Sequence, residues 1–271
     1  MAEKAIRKRI RIKNHLLIRG ELKMLEVSRI PKRIHYCWFG EKEKPAVVNK
    51  CLKSWRKHLV DYEIIEWNEK NFNVNCNLYV KEAYESKKFA FVSDYVRVHA
   101  LYNEGGIYLD TDVEVFQSFD DLLHHHSFWG FEQENYIATS TIGAEKGNEL
   151  IKIFLDSYQD KTFNKGDGCL DQLTNVAIVT TIMKQMGVKL DGSYQKLVGL
   201  GTFYPQTYFS PYDYINCRKF ITEKTYTIHH FYKSWLSPKE RLKGNLKVFI
   251  SRIIGGENIY RIRKAVSRIG G

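Results

Sequence analysis

Asp110 and Asp112 stand one residue apart at the end of a short apolar run, Ile107 to Leu109. In an extended chain residues i and i+2 point to the same side, so the two carboxylates would face one small volume while Thr111 points away. Paired carboxylates at the tip of a buried strand make a hard, oxygen-rich site that suits Mg2+ or Mn2+ carrying a diphosphate. A bare D-x-D also occurs in polar turns, so the segment before it has to decide. From Phe91 to Asn103 the residues Val92, Tyr95, Val96, His99, Ala100 and Tyr102 recur at helical spacing, and Gly105 and Gly106 supply the stop. Asp94 and Arg97 lie three apart and share a face of that helix. Alone, such a pair reads as a surface salt bridge of little energetic weight. Together, S-D-Y-x-R, a helix and G-G-I-Y-L-D-T-D form a longer constellation than chance readily supplies.

The elements that must position these residues alternate along the chain. Ile34–Phe39 reads as a strand, Pro45–Leu59 as a helix with Val48, Cys51, Leu52, Trp55 and Leu59 on one face, and Tyr62–Trp67 as a strand. Helices are expected at Tyr79–Glu85 and Phe91–Asn103, and strands at Ile107–Leu109, Val113–Phe116, Ser127–Phe131 and Tyr136–Ile142. Helices at Asn148–Tyr158 and Leu170–Met186 and a late strand at Tyr226–His230 complete the order. Strands interleaved with helices imply an α/β fold whose sheet is covered on both faces. Ligands of such sheets bind beyond the carboxyl ends of the strands, where Asp110 and Asp112 stand.

The 271 residues fit one α/β domain, and aromatic content of 14% is high enough that some rings should line a cleft. Residues 1–33 carry 11 Lys/Arg against 3 Asp/Glu, and residues 239–271 carry 9 against 2, which leaves residues 34–238 at −4 of the formal +11. Basic ends on a mildly acidic body point to an anionic surface and away from nucleic acid. The division expected is a basic arm at 1–29, a catalytic domain at 30–238 and a basic amphipathic segment at 239–271. In that last segment Ile259, Ile262, Val266 and Ile269 recur at helical spacing beside Arg261, Lys264 and Arg268, the pattern of a helix that lies on anionic lipid. No run of 18 apolar residues and no apolar leader occurs, so a cytoplasmic protein, peripheral on the inner face of the cell membrane, is expected. Five widely spaced cysteines, Cys37, Cys51, Cys76, Cys169 and Cys217, lack any C-x-x-C and read as free, mostly buried thiols. His124, His125 and His126 cannot share one face and are expected in an exposed loop.

The constellation resembles the glycosyltransferases with a D-x-D sugar-binding region, family 32, which include bacterial capsule and lipopolysaccharide enzymes. The resemblance starts at I-P-K-R-I-H-Y-C-W-F-G from Ile30 and closes at I-H-H-F-Y-K-S-W ending on Trp235, about three quarters of the chain. It implies a GT-A-like nucleotide-diphospho-sugar transferase fold with a mixed central sheet flanked by helices. It also implies a metal-dependent, retaining hexosyltransferase that uses a nucleotide-diphosphate sugar, UDP-sugar favoured, and a saccharide or lipid-linked saccharide acceptor in surface polysaccharide synthesis. By the same resemblance Asp112 binds Mn2+ or Mg2+ directly, Asp110 touches the ribose or the metal, and His229 completes the metal or diphosphate site. Asp94 and Arg97 hydrogen-bond the donor sugar, Arg97 near the phosphates as well. Trp38 stacks on the base or is an ordinary strand aromatic, Tyr108 closes the pocket, and Ser234 and Trp235 lie in a lid over the donor. For His35 a place in the core is favoured.

One departure concerns Thr174, Asn175 and Val176, which stand where many relatives have T-G-P, so contacts to the acceptor there stay open. Glu132 and Glu134, in F-E-Q-E-N-Y, are the nearest candidates for an acceptor-side role but read as hydrogen-bonding surface groups. Two other classes compete. L-D-T-D-V-E resembles the start of a haloacid-dehalogenase phosphatase, which requires Thr or Val where this chain has Glu114. A non-catalytic sugar-nucleotide binder is the other, and intact Asp94, Arg97, Asp110 and Asp112 speak against it.

Overall fold

Alternation along short strands divides the interior into two apolar layers. In β1 (Arg33–Cys37), Ile34 and Tyr36 point to one layer while Cys37 points to the other. In β3 (Gly106–Leu109), Ile107 and Leu109 join the first and Tyr108 the second. The computed structural model describes residues 28–133, 136–166, 170–171 and 173–232, and in the C-terminal segment 255, 257–258, 260–261 and 264. Ser234, Trp235, Glu134, Cys169, nearly all of the N-terminal arm and most of 239–271 lie outside the described residues.

The two layers sit on opposite faces of a seven-stranded sheet. Its other members are β2 (Glu63–Trp67), β5 (Ser127–Glu132), β6 (Tyr136–Ala144), β7 (Gln195–Leu197) and β8 (Gly201–Tyr204), in the order β2-β1-β3-β6-β5-β8-β7. Strands β2, β1 and β3 are parallel, β6 is antiparallel to both β3 and β5, and β8 runs parallel to β5, so the sheet is mixed as expected. Helix α1 (Ala46–His58) covers the first face with Val48, Cys51, Leu52 and Trp55, and the Trp55 indole donates to Val113 O at 2.7 Å. The second face is covered by α2 (Leu78–Glu85), α3 (Phe89–Glu104), α4 (Glu149–Asp156) and α5 (Asn175–Gln185). A two-stranded pair, β4 (Val113–Val115) with β11 (Thr227–His229), brings the late part of the chain back beside the D-T-D turn.

Element ends agree with expectation to within two residues in most cases, the usual fraying of boundaries. The exceptions have local causes. Helix α5 starts at Asn175 instead of Leu170, because the Asp171 carboxylate accepts from Leu173 N–H and the Thr174 hydroxyl caps Ala177 N–H. Strands β7 and β8, the short helix α6 (Gln206–Phe209) and the ribbon of β9 (Tyr212–Asp213) and β10 (Arg218–Lys219) are too short to show a period in sequence.

The histidine run is not an exposed loop. His125 is buried, bonded to the Tyr204 hydroxyl at 2.7 Å, and burial lowers its pKa to about 4, while His126 pairs with Glu145. His35 is a core residue, bonded to Gly105 O at 2.8 Å and accepting from the Trp67 indole at 3.1 Å. Cys37 and Cys51 are buried thiols, Cys217 is half-buried and Cys76 is exposed. Among the described residues no helix is long and apolar enough to cross a membrane. In the C-terminal segment Glu257 pairs with Arg218 at 2.9 Å and Tyr260 lies 4.4 Å from the same guanidinium, so part of that segment contacts the body.

Candidate active site

Helix α3 feeds β3 through Gly105 and Gly106, both at positive φ (+68° and +112°). A Cβ on Gly105 would meet Lys146 N at 2.7 Å, so this corner excludes any side chain. The β3 ladder continues one bond further, Asp110 N–H to Ser140 O at 2.9 Å. There the chain departs from the extended geometry expected. Val113 N–H bonds back to Asp110 O at 2.9 Å, so D-T-D is a turn joining β3 to β4. The carboxylates converge nevertheless. Ligand atoms of Asp110, Asp112 and His229 all lie within 4.8 Å of one another. His229 arrives from β11, whose pairing places it opposite Val113.

The ion pair on α3 is buried, not superficial. Arg97 Nη2 donates to Asp94 Oδ1 at 2.9 Å, Nη1 to Thr139 O at 2.7 Å, and Nε to Ser93 O at 3.3 Å. Nη1 also lies 3.2 Å from Asp110 Oδ1. Three guanidinium N–H groups thus donate to described protein partners, and Asp110 adds an ion-pair contact. Arg97 is therefore chiefly the clamp that fixes Asp94 and Asp110 relative to β6. Tyr108 does not wall the pocket: it is fully buried, holds Asp110 Oδ1 through its hydroxyl at 3.0 Å, and places its ring 4.6 Å from the guanidinium. Trp38 follows β1 at the same sheet end as Asp110. It is half-buried, with its indole donating to Lys42 O at 2.6 Å and Lys44 Nζ 5.5 Å from its ring.

The electrostatics are those of a site with surplus negative charge. Burial alone would lower the His229 pKa, but attraction and a hydrogen bond to Asp112, helped by Asp110 and Glu132, hold it at about 9. Burial would raise Asp112, but His229 and the Tyr232 N–H, 2.7 Å from Oδ2, bring it to about 2. Burial pushes Asp94 up to about 7 against the pull of Arg97. Glu132 is likewise driven to about 7 by burial, opposed by His229 and Arg97 and reinforced by Asp110 and Asp112. Two carboxylates and an imidazole whose Nδ1 is buried without a hydrogen-bond partner fit a divalent cation.

Residues 45–129 match the family described as the glycosyltransferase sugar-binding region containing the DXD motif. Asp94, Arg97, Asp110 and Asp112 lie inside the match and His229 beyond it. Two curated proteins show related similarity. Subversion of eukaryotic traffic protein A of Legionella pneumophila is 26% identical over 167 residues, 49% of this chain and 25% of that protein. Inositol phosphoceramide mannosyltransferase 3 of Schizosaccharomyces pombe is 30% identical over 128 residues, 46% of this chain and 36% of that protein. The chain thus spans about a quarter to a third of the length of these relatives. Among solved structures, PaToxG glycosyltransferase aligns with a TM-score of 0.44 at 17% identity, over 58% of this chain and 70% of that one. A glycosyltransferase involved in glycosylation of the major capsid of PBCV-1 aligns with a TM-score of 0.42 at 11% identity, over 79% and 98%.

Sequence reasoning misjudged the placement of Glu132 and gave Asn175 no role of its own. Glu132 is buried at the end of β5, not on the surface, and no described residue donates a hydrogen bond to its carboxyl group. Asn175 opens α5 at the place where many relatives of the resembled family have T-G-P. Its Oδ1 accepts from the Thr139 hydroxyl at 3.1 Å, and its Nδ2 is buried without a partner. The odd local sequence was the one available signal for it.

Proposed function

We propose that the protein is a divalent-metal-dependent glycosyltransferase of GT-A type. It moves a hexose with retention from a nucleotide-diphosphate donor, UDP-sugar favoured, to a hydroxyl of a saccharide or lipid-linked saccharide. The observation that carries this reading is the convergence of Asp110, Asp112 and His229 within 4.8 Å beside the clamped Asp94–Arg97 pair. A cation held there would neutralise the charge that builds on the diphosphate as the glycosidic bond breaks. The protein's own groups hold the reactants. Asp94, with one oxygen bound to Arg97, offers the other to donor sugar hydroxyls. Arg97 keeps Asp94 and Asp110 fixed, so no reorganisation is needed when charge moves. His229 and the Tyr232 N–H hold the Asp112 carboxylate from two sides.

Charge supports a finer setting. Basic ends on an acidic body suit a peripheral position at the inner face of a bacterial membrane, where acceptors for surface polysaccharide are carried on lipid. A screen of UDP- and GDP-sugars with Mn2+, reading released nucleotide, tests the reading. At least one donor should turn over, and Asp112→Asn should abolish it. Tight donor binding without nucleotide release would leave a non-catalytic sugar-nucleotide binder.

A further inference from the structure

The residues around the metal-ligand cluster fall into two flanks. On one, Asp94 faces Arg97 and Lys161 and influences the hydroxyls of Tyr79 and Tyr158. On the other stand Glu132 and a group of half-exposed rings. Phe231 lies 3.9 Å from the His229 ring and 4.7 Å from the Tyr214 ring, with Tyr212 6.2 Å away, all between ring centroids. The charge of Glu132 in turn raises the Tyr214 hydroxyl, after burial itself, so the carboxyl group and the rings share one side. Phe231 holds a left-handed φ of +50°, rare for a bulky side chain. Gln133, next to Glu132, is also left-handed at +39°, and its Oε1 is buried without a partner. Strained backbone and unpartnered buried polar groups gather at binding sites because folding alone gives no reason to keep them.

Resting on the reading above, we propose that Glu132, Tyr214 and Phe231 form the acceptor subsite, and that its occupant is a neutral sugar ring. A pyranose presents a flat C–H face, which suits Tyr214 and Phe231, and a rim of hydroxyls, which suits a carboxyl group to which no described residue donates. Glu132 binds the acceptor hydroxyl beside the metal ligands, so the attacking oxygen and the donor's diphosphate are held within one small volume. An anionic acceptor group would meet the buried Glu132 carboxylate as a like charge, which disfavours it. During transfer the C1–O bond to the diphosphate breaks with its electron pair going to the diphosphate. The acceptor oxygen bonds C1 and its proton leaves to the carboxylate or to the departing phosphate.

The test separates transfer from hydrolysis. With Mn2+ and whichever nucleotide sugar the parent hydrolyses fastest, the probes are methyl α- and β-glycosides of glucose, galactose and mannose. Glu132→Gln keeps the shape of the side chain, and Tyr214→Leu keeps apolar bulk while removing the flat ring. Each should lower the ratio of transfer to hydrolysis about tenfold or more, mainly through the acceptor KM for Tyr214→Leu. Equal loss of transfer and hydrolysis in both variants would place these residues with the donor and overturn the proposal. So would an unchanged ratio, or a parent that hydrolyses donor yet glycosylates a serine-containing peptide and none of the glycosides. A parent that turns over no nucleotide sugar would refute the proposed function itself, a distinct result that removes this inference with it.

Discussion

Metal binding at this site must compete with a proton. His229, at about 9, carries its proton at neutral pH because it sits against Asp112 with Asp110 and Glu132 nearby. A protonated imidazole cannot ligate, so a cation has to displace that proton. At pH 7, two units below 9, only about 1% of His229 is neutral, which weakens apparent affinity about 100-fold, or roughly 2.7 kcal/mol. Asp94 and Glu132, both at about 7, also shed protons near neutrality. The clean window is therefore pH 7.5 to 8.5, where His229 is the group still mostly protonated. Across it the apparent Kd for Mn2+ should tighten roughly eightfold, then level off above pH 9. Calorimetry in two buffers of different ionisation enthalpy should show about one proton released per ion bound at pH 8. His229→Gln should flatten the slope while weakening binding at every pH. The sign carries over to stability without metal. A raised His pKa stabilises the fold fully below about 6.5, and that contribution is lost as pH rises through about 9. The matching contribution of Asp112 is present above about 3.8 and is lost as pH falls through about 2. A Kd that stayed constant from pH 7.5 to 8.5, with no proton released, would refute the placement of His229 as a ligand.

Three further outcomes are expected. Arg97→Lys keeps the charge but cannot span Asp94, Ser93 O, Thr139 O and Asp110 together, so kcat should fall by about 100-fold or more with Mn2+ affinity less affected; normal turnover would return the pair to a structural ion pair. Gly143→Ala drives a methyl to within 2.0 Å of the fully buried Phe128 ring, so unfolding should become easier by roughly 2 kcal/mol, a thermal midpoint lower by about 4–8 °C. Removal of residues 239–271 should abolish sedimentation with anionic vesicles, which in the full chain should weaken with salt. If truncation instead unfolds the protein, the Arg218 contacts to Glu257 and Tyr260 are part of the body's stability and the membrane role fails.

Much of the scaffold was legible because its signals are local. Helix α1 shows its buried face as Val48, Cys51, Leu52 and Trp55, and α3 ends at two glycines that the geometry requires. The α/β order and the carboxyl-end position of Asp110 follow from those signals alone. The pairing of Asp110 with Asp112 was reached by a wrong route: an extended strand was assumed where a turn exists, and both geometries bring the two side chains together. The contribution of His229 could be read only from the resemblance, since β4–β11 pairing joins residues more than a hundred positions apart and leaves no local trace.

Glu132 shows where such reading stops. In S-F-W-G-F-E the rule of alternation should assign each side chain a face, and Trp129 and Phe131 do share one layer while Phe128 takes the other. A register shift between Phe128 and Gly130 breaks the pairing with β6 in mid-strand, so the count from Phe128 no longer fixes what Glu132 meets. Its neighbours are instead supplied by three distant segments: the D-T-D turn, β11 and the residues after β9. A charged residue at a strand end is by default a solvated one, and composition offers nothing against that default. Only burial beside Asp110, Asp112 and His229 turns Glu132 from a surface carboxylate into one that burial drives to about 7. The same burial makes Glu132→Gln informative. With no hydrogen bond from the described residues to lose, its effect on transfer reports what the acceptor requires of the carboxylate.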